Sequence, residues 1–464
     1  MLLENKSSLV PLLRDAIKGR VIGPADADYD AARAVFVGGI DRRPLVIVRV
    51  ADAGDVARVV SLASEMGLEL AVRSGGHSGA GHCVSDGGIV LDLKDMHALD
   101  IDVAGRTAWA ETGLTAGAYT TAAVAHGLAT GFGDTGSVGI GGLTVGGGVG
   151  YLVRKHGLTI DDLLAADVVT ADGAHRRVDA NTDPDLFWGI RGGGGNFGVA
   201  TRFQFRLHPV DTFVGGMLML PATADVIGSF VALAEAAPDE LSTIANVMPA
   251  PPMPFVPPEH HGTLVIFAML AHAGELEAGE RAIAPFRSLA TPIVDMVKPQ
   301  PYSAMYPPED PSYHPVAANR TLLVDAIDAR STRTIMDFLG RSTAAMPVAQ
   351  IRVLGGAMSR VPADATAFAH RNRKIMVNVA ALYERPEEAA THQAWVTAFA
   401  AELQRGPVGA YVNFVGDEGE ARIHDIYPPP TLDRLVAIKR RYDPTNLFRL
   451  NQNIPPAVEQ VARA

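Results

Sequence analysis

The chain has 464 residues, 48% of them hydrophobic and 47 of them glycine, with a formal net charge of −11 and one cysteine. This length allows two or three domains, or one large enzyme with an insertion. The acidic balance argues against a nucleic-acid binder, which would show a basic one, and a lone cysteine excludes intrachain disulfides.

The N-terminal stretch "MLLENKSSLVPLLRDAIKGR" has an early acidic residue, Glu4, and no long apolar core. It does not read as a signal peptide. No run approaches the about 18 uninterrupted apolar residues of a membrane span. The expectation is a soluble, cytoplasmic protein.

"PLVIVRV" (44–50) predicts a strand, and "DAGDVARVVSLASEMGL" an amphipathic helix ending at Gly67. "LELAVR" (68–73) predicts a strand running into "SGGHSGAGHC", and "GGIVLDL" (87–93) another. Strand, helix, strand, loop and strand suggest an α/β unit. "LDIDVAGRTAWAETG" reads as two strands around Ala104-Gly105, and Thr115 caps a helix reaching about His126. The segment 131–158 is glycine-rich but too apolar for a linker. It reads as backbone brought close to something flat or anionic. "LLAADVVTADGAHRRVD" predicts a hairpin turning at Asp172-Gly173, "DPDLFWGI" a short helix, and "GVATRFQFRLHPV" a strand. Beyond Asp211 strand and helix patterns mix, with a Pro-rich loop at 247–262. "YVNFV" (411–415) predicts a strand. "TLDRLVAIKRRYDPTNLF" predicts a helix capped by Thr431 and stopped before Pro444. An isolated helix and tail cannot bury an apolar face, so the C-terminal piece should pack back on the first domain.

Several motifs fail on context. His77, His82 and Cys83 lack the second ligand cluster of a structural zinc site, so no metal is expected. "GGGGNFG" (192–198) has the G-x-G-x-x-G spacing, but a helix precedes it and a strand follows, the reverse of a Rossmann turn. No G-K-[ST] follows a glycine run, and no G-x-S-x-G elbow is present. Three glycine-rich regions remain: 74–81, 131–150 and 192–198. One loop cradling a diphosphate, with others lining an extended flat cofactor, would need them. FAD is the economical explanation.

"RSGGHS" after a strand, "VGIGGLTVGGGVGYLVRKHGLTIDDLL", "DPDLFWGIRGGGGNFGV" and "RYDPTNLFRLNQNI" resemble the berberine bridge enzyme-like flavoproteins of the vanillyl-alcohol-oxidase superfamily. The resemblance covers about residues 40–210 and 410–456. It implies an α+β fold: a FAD-binding domain of the p-cresol methylhydroxylase type in two subdomains (1–210), and an inserted substrate domain with an antiparallel sheet covered by helices (211–410). A C-terminal return segment (411–464) would pack on the FAD domain. It also implies that His77 is joined to the 8α-methyl carbon of the flavin, although a loop histidine beside a non-covalent flavin is the alternative. Many relatives add a second link through a Cys; Thr135 stands there. One covalent link is therefore expected, as in the 6-hydroxynicotine-oxidase-like branch. The resemblance further assigns Arg73, Ser74, Gly75, Gly76 and Ser78 to the diphosphate. It assigns Gly139, Gly141, Gly142, Gly147, Gly148 and Gly150 to the flavin and ribityl chain, Val199 to the adenine end, and Asn451 and Asn453 to the flavin's polar edge.

The implied reaction is oxidation of a C–H next to nitrogen or oxygen of a small molecule, with oxygen reduced to hydrogen peroxide. A dehydrogenase with another acceptor and a non-catalytic flavin-binding protein are the alternatives. Two familiar catalytic tyrosines are replaced, by Phe414 in "YVNF" and by Gly79 after His77. Asn413 and Tyr411 lead the remaining candidates for catalysis, with Tyr383, Tyr306, His314 and Lys374 behind them. A monomer or a homodimer is expected.

Overall fold

The computed structural model describes residues 9–210 and 212–457. Residues 1–8, which open the stretch read above for a signal peptide, lie outside them, as does Asp211, where the substrate domain was expected to begin. Three main sheets organise the chain. The first contains β1 (Arg20–Ile22), β2 (Val46–Arg49), β3 (Leu70–Arg73) and β4 (Ile89–Asp92) in the order β1-β2-β4-β3. β2 and β3 both run parallel to β4. Helix α1 (Ala53–Met66) is the crossover, and its ends follow from local chemistry. Asp52 caps the first turn by accepting from the Asp55 N–H, and Gly67 closes the last with φ +60°. Val56, Val59, Val60 and Ala63 form its buried stripe.

The second sheet contains β5 (Leu99–Asp102), β6 (Thr107–Glu111), β7 (Leu163–Val169), β8 (His175–Asp179) and β9 (Val199–Arg206), in the antiparallel order β5-β6-β9-β7-β8. Its core face packs on α2 (Ala116–Val124), with Tyr119, Phe132, Phe203 and Phe205 in one apolar cluster. The glycine-rich 131–158 stretch is not simply extended backbone. It folds into α3 (Ile140–Gly146) and α4 (Val153–His156), because Ile140, Leu143 and Val153 have buried sites to fill.

The third sheet is antiparallel and has eight strands. They are β10 (Phe213–Pro221), β11 (Leu241–Pro249), β12 (Leu264–Ala273), β13 (Val294–Asp295), β14 (Lys298–Pro299), β15 (Ala317–Val324), β16 (Met346–Val353) and β17 (Ile375–Leu382). The order is β13-β10-β12-β11-β16-β17-β15, with β14 also on β10. One face is covered by four helices, α5 (Ala224–Ala236), α6 (Leu276–Arg287), α7 (Ala329–Arg341) and α8 (Ala389–Leu403). Ala245, Val247, Ile351 and Val377 join Phe230, Phe286, Leu339 and Phe399 in that core. Side chains of a strand alternate between faces, so Asn246, Gln350 and Arg352 point to the other face.

The chain then returns to the first two sheets. Residues 411–415 do not form a strand: Val412–Phe414 is a single 3₁₀ turn. Tyr411 and Asn413 both reach segment 143–148, which bends the backbone instead. The helix α9 (Pro429–Tyr442) starts before Thr431, which therefore lies inside its first turn and does not cap it. Pro429 and Pro430 supply the opening, since proline suits a turn whose N–H groups are free. The helix ends in a fully buried ion pair, Lys439 Nζ to Asp443 Oδ2 at 2.6 Å. Lys439 also donates to the carbonyls of Asn196 (2.8 Å) and Phe448 (2.9 Å). Asp443 accepts from the N–H groups of Leu447 and Phe448. Every donor of the ammonium is used, which makes a buried charge tolerable. Among the described residues no helix is long and apolar enough to cross a membrane.

Removing one partner of a buried pair typically costs about 3–5 kcal/mol. Lys439→Met should lower unfolding stability by that order in urea titrations at neutral pH, and a loss under about 1 kcal/mol would contradict the role given to the pair.

Candidate functional site

The loop after β3 meets the segment before α3. Ser74 Oγ donates to the Thr112 carbonyl at 2.5 Å and accepts from the Gly141 N–H at 3.3 Å. A Cβ on Gly75 would stand 2.1 Å from the Gly139 nitrogen, and one on Gly139 would stand 2.2 Å from the Gly75 nitrogen. Only glycine permits this approach.

Around that contact opens a cleft of roughly 1590 Å³, counting its mouth. Ser74, Gly75, Gly76, His77 and Ser78 form its floor, with Gly139, Gly141 and Gly142 beside them. Val199, Asn451, Tyr411 and Asn413 also line it. Among the described residues, Asp134 is the one carboxylate on the lining and no Lys or Arg is present. His82 is held neutral, its pKa lowered to about 4 by burial and then by Arg42. Burial also lowers His77, against the opposite pull of the Gly75 carbonyl and Glu309.

The floor offers a different kind of anion site. Among the described residues, the backbone N–H groups of Gly75, Gly76, His77 and Gly79 have no protein acceptor, while that of Ser78 turns to the Cys83 thiol. Consecutive free N–H groups around a residue of positive φ, here Gly76 at +75°, form a nest for an anion. A second sign of a missing partner is Asn451, whose buried Oδ1 has none. Gly142 and Gly195 open onto the cleft with no atom within 4 Å of an added Cβ. These features fit a long, flat, diphosphate-bearing cofactor.

Other predicted residues lie elsewhere. Arg73 turns away from the floor to Asp92, at 2.7 Å and buried. Gly147, Gly148 and Gly150 sit behind the wall. Side chains there would meet Tyr411, Thr159 and the Phe132 carbonyl, so protein packing explains these glycines. Asn453 lies off the lining, though its Oδ1 is also without a partner. Tyr411 is buried, its phenol pushed up by burial. Its oxygen accepts from the Gly148 N–H (2.8 Å) and from Asn413 Nδ2 (2.9 Å), which also donates to the Leu143 carbonyl (3.0 Å). Both residues therefore stitch the return segment to α3. Tyr383, Tyr306, His314 and Lys374 are off the lining.

The polar group that sequence reading missed is at the contact with the third sheet. Asp134 pairs with Arg352 at 2.6 Å. Arg352 also donates to Gln350 Oε1 (2.9 Å) and the Val149 carbonyl (3.2 Å), and lies 5.0 Å over the Phe414 ring. Gln350 donates to Asn246 Oδ1 at 3.0 Å, across a register pair of β11 and β16. The alternating "VAQIRV" (348–353) carries the signal, two polar residues on one face of an apolar strand.

A FAD binding domain family matches residues 44–179, and a berberine and berberine-like family matches residues 410–455. The (R)-6-hydroxynicotine oxidase of Paenarthrobacter nicotinovorans is 32% identical over 460 residues, 95% of this chain and 97% of its own. The crystal structure of 6-hydroxy-D-nicotine oxidase from Arthrobacter nicotinovorans superposes with a TM-score of 0.85 at 29% identity, covering 95% of this chain and 98% of the other. Xylooligosaccharide oxidase from Myceliophthora thermophila, solved with xylobiose, shares the fold (TM-score 0.83, 24% identity, coverage 96% and 99%).

Gly142→Ala should fold with stability within about 0.5 kcal/mol of the parent yet retain less flavin, read as flavin absorbance per protein after gel filtration. An unchanged flavin content would remove Gly142 from the cofactor surface. His82 binds its proton less well folded than unfolded, so its contribution to stability is lost as pH falls from 6.5 towards about 4. His82→Gln should flatten the fall of the urea midpoint across that window.

Proposed function

Because the chain belongs to the berberine bridge enzyme-like FAD-linked oxidoreductases, we propose that it is an oxidase of a small amine, with FAD tethered through His77 alone. The observation that carries this reading is the charge layout of the cleft: an anion nest without a cation at His77, and one carboxylate, Asp134, where the cleft meets the third sheet.

The nest of residues 75–77 and 79 would hold the diphosphate, with Ser74 fixing the loop's pose through Thr112 and Gly141. Gly139, Gly141 and Gly142 would bound the flavin and ribityl chain, Val199 the adenine end, and Asn451 the polar edge. His77 is a neutral imidazole at the floor, a competent nucleophile for an electrophilic methyl carbon. Thr135 cannot supply a second link.

When bound, the flavin supplies a two-electron acceptor for hydride from a C–H next to nitrogen or oxygen. Asp134 takes the N–H or O–H proton that must leave the same substrate, and Arg352, 2.6 Å away, aims its carboxylate. Phe414 has no proton to exchange, so it forms an apolar wall. The third sheet, within the proposed 211–410 unit, reaches the cleft's lining through Arg352 on Asp134, with Gln350 and Asn246 joined to it in one hydrogen-bonded row. A single carboxylate on a mostly apolar lining suits a small cationic amine, and (R)-6-hydroxynicotine oxidase is a relative similar over 95% of this chain. Oxygen is the final acceptor in this reading. A cytoplasmic site accords with the single cysteine.

Cyclic secondary and tertiary amines should bleach the flavin anaerobically, and air should restore the colour with hydrogen peroxide released. Bleaching by sugars alone would overturn the substrate class, and colour restored only by an added electron carrier would make the protein a dehydrogenase. Acid-precipitated protein should stay yellow, while His77→Ala should lose its colour on precipitation. Asp134→Asn should lower kcat about 10²–10⁴-fold, the usual contribution of a placed base, with the flavin still bound.

A further inference from the structure

The His77 ring ends a hydrogen-bonded chain built from two other parts of the sequence. His77 Nε2 lies 2.9 Å from Ser137 Oγ, and Ser137 Oγ donates to Glu309 Oε2 at 2.5 Å. The Ser137 N–H donates to the other oxygen of Glu309 at 3.0 Å. Neither Ser137 nor Glu309 lines the cleft. The segment carrying Glu309 is fastened to the loop beside His77. The Gly38 N–H donates to the Pro315 carbonyl at 2.9 Å, and His314 Nδ1 reaches the Val35 carbonyl at 2.9 Å. Phe36, between them, stacks on the imidazole with centroids 4.2 Å apart.

We propose that Glu309, acting through Ser137, accepts the proton that His77 must shed to form its bond with the flavin. This rests on the reading of His77 as the tether. A hydroxyl has one proton. Ser137 gives its own to Glu309, so towards His77 it can only accept, and Nε2 carries a hydrogen. A neutral imidazole has one N–H, and the relay keeps it on Nε2. The lone pair is then on Nδ1, where it faces the Gly75 carbonyl oxygen at 2.9 Å, a repulsive contact that the nitrogen must leave as it turns towards the flavin. That nitrogen is left to attack.

The step balances as follows. A C–H bond of the flavin 8-methyl breaks and a bond from Nδ1 to that carbon forms, leaving the imidazole cationic. The two electrons of the C–H bond stay on the flavin, which is reduced. The Nε2 proton passes to Ser137 as the Ser137 proton passes to Glu309. Oxygen then accepts the two electrons, together with the methyl proton and the proton held by Glu309, and leaves as hydrogen peroxide.

Glu309 is the one charged group, among the described residues, whose field reaches the ring. Arg73, on the strand before it, is tied to Asp92. On the Glu309 segment, Asp310 is held by Ser312 and Tyr313 edges against Phe36. Glu309 is thus a positioning residue for the attachment and has no part in substrate oxidation.

The test uses full-length protein prepared without flavin and then given FAD, with covalent flavin followed by acid precipitation and intact mass. Glu309→Gln should attach on the order of 10²-fold more slowly at pH 7, with the deficit closing as pH rises and solvent takes over as base. Ser137→Ala should behave alike, and Glu309→Asp should recover much of the rate. FAD should still bind all three non-covalently. Attachment by Glu309→Gln at the parental rate, or a deficit equal at every pH, would overturn the relay. Parental protein that never retains flavin through precipitation would instead overturn the tether itself.

Discussion

The meeting of two glycine loops, Ser74-Gly75 against Gly139-Gly141, is the contact on which the remaining architecture depends. It joins the first sheet to the second through a backbone approach braced by the Ser74 hydroxyl, with no room for a Cβ on Gly75 or Gly139. A β-carbon at Gly75 or Gly139 would push the loops apart. Their separation would open the cleft floor and move Ser137, two residues from Gly139, away from His77. The cleft wall, the nest and the relay are three consequences of one close approach. Glycine's cost in backbone entropy is met at positions where no other residue fits.

The return segment solves a related problem with polar groups. A tail that must lie extended along a cleft edge has little apolar surface to bury. It is fixed instead by Lys439 and Asn196. Asn196 donates to the carbonyls of Gly193 and Gln452 and accepts from the Ile454 N–H. Both residues address the 192–198 loop, so helix α9 holds the loop and the tail together. Four consecutive glycines there are explained partly by neighbours: a side chain on Gly192 would strike the Phe368 backbone, and one on Gly193 the Gly189 carbonyl. Gly195 alone faces open space.

Much of the first two sheets is legible in the sequence because local signals agree there. Asp52 and Gly67 bracket one helix, Thr115 caps another, and Asp172-Gly173 turns a hairpin. Gly142 keeps an open face on the cleft, whereas Gly147, Gly148 and Gly150 abut the protein's own atoms. Sequence cannot separate the two uses, since both ask for a missing side chain. Arg73 shows the same limit, because a cation beside an anion loop reads as a ligand until Asp92 is seen to hold it. Asp134 and Glu309 are the harder cases. Their partners lie 218 and 172 residues away, and neither stands in a recognisable local pattern.

In the proposed scheme the two acids divide the chemistry by position. At the cleft, Asp134 is the one lining carboxylate among the described residues, with Arg352 paired to it from the third sheet. Two hydrogen bonds from His77, Glu309 is exposed to solvent and can exchange its proton without passing through the cleft. Both arrangements need a group from the 211–410 part of the chain, Arg352 on β16 in one case and Glu309 in the other. Neither the proposed oxidation nor the proposed tether is therefore complete on the first two sheets alone. A chain that has folded its cofactor site but not yet docked the third sheet would hold the flavin in its nest without fixing it. Covalent attachment then becomes a record that the whole molecule has assembled.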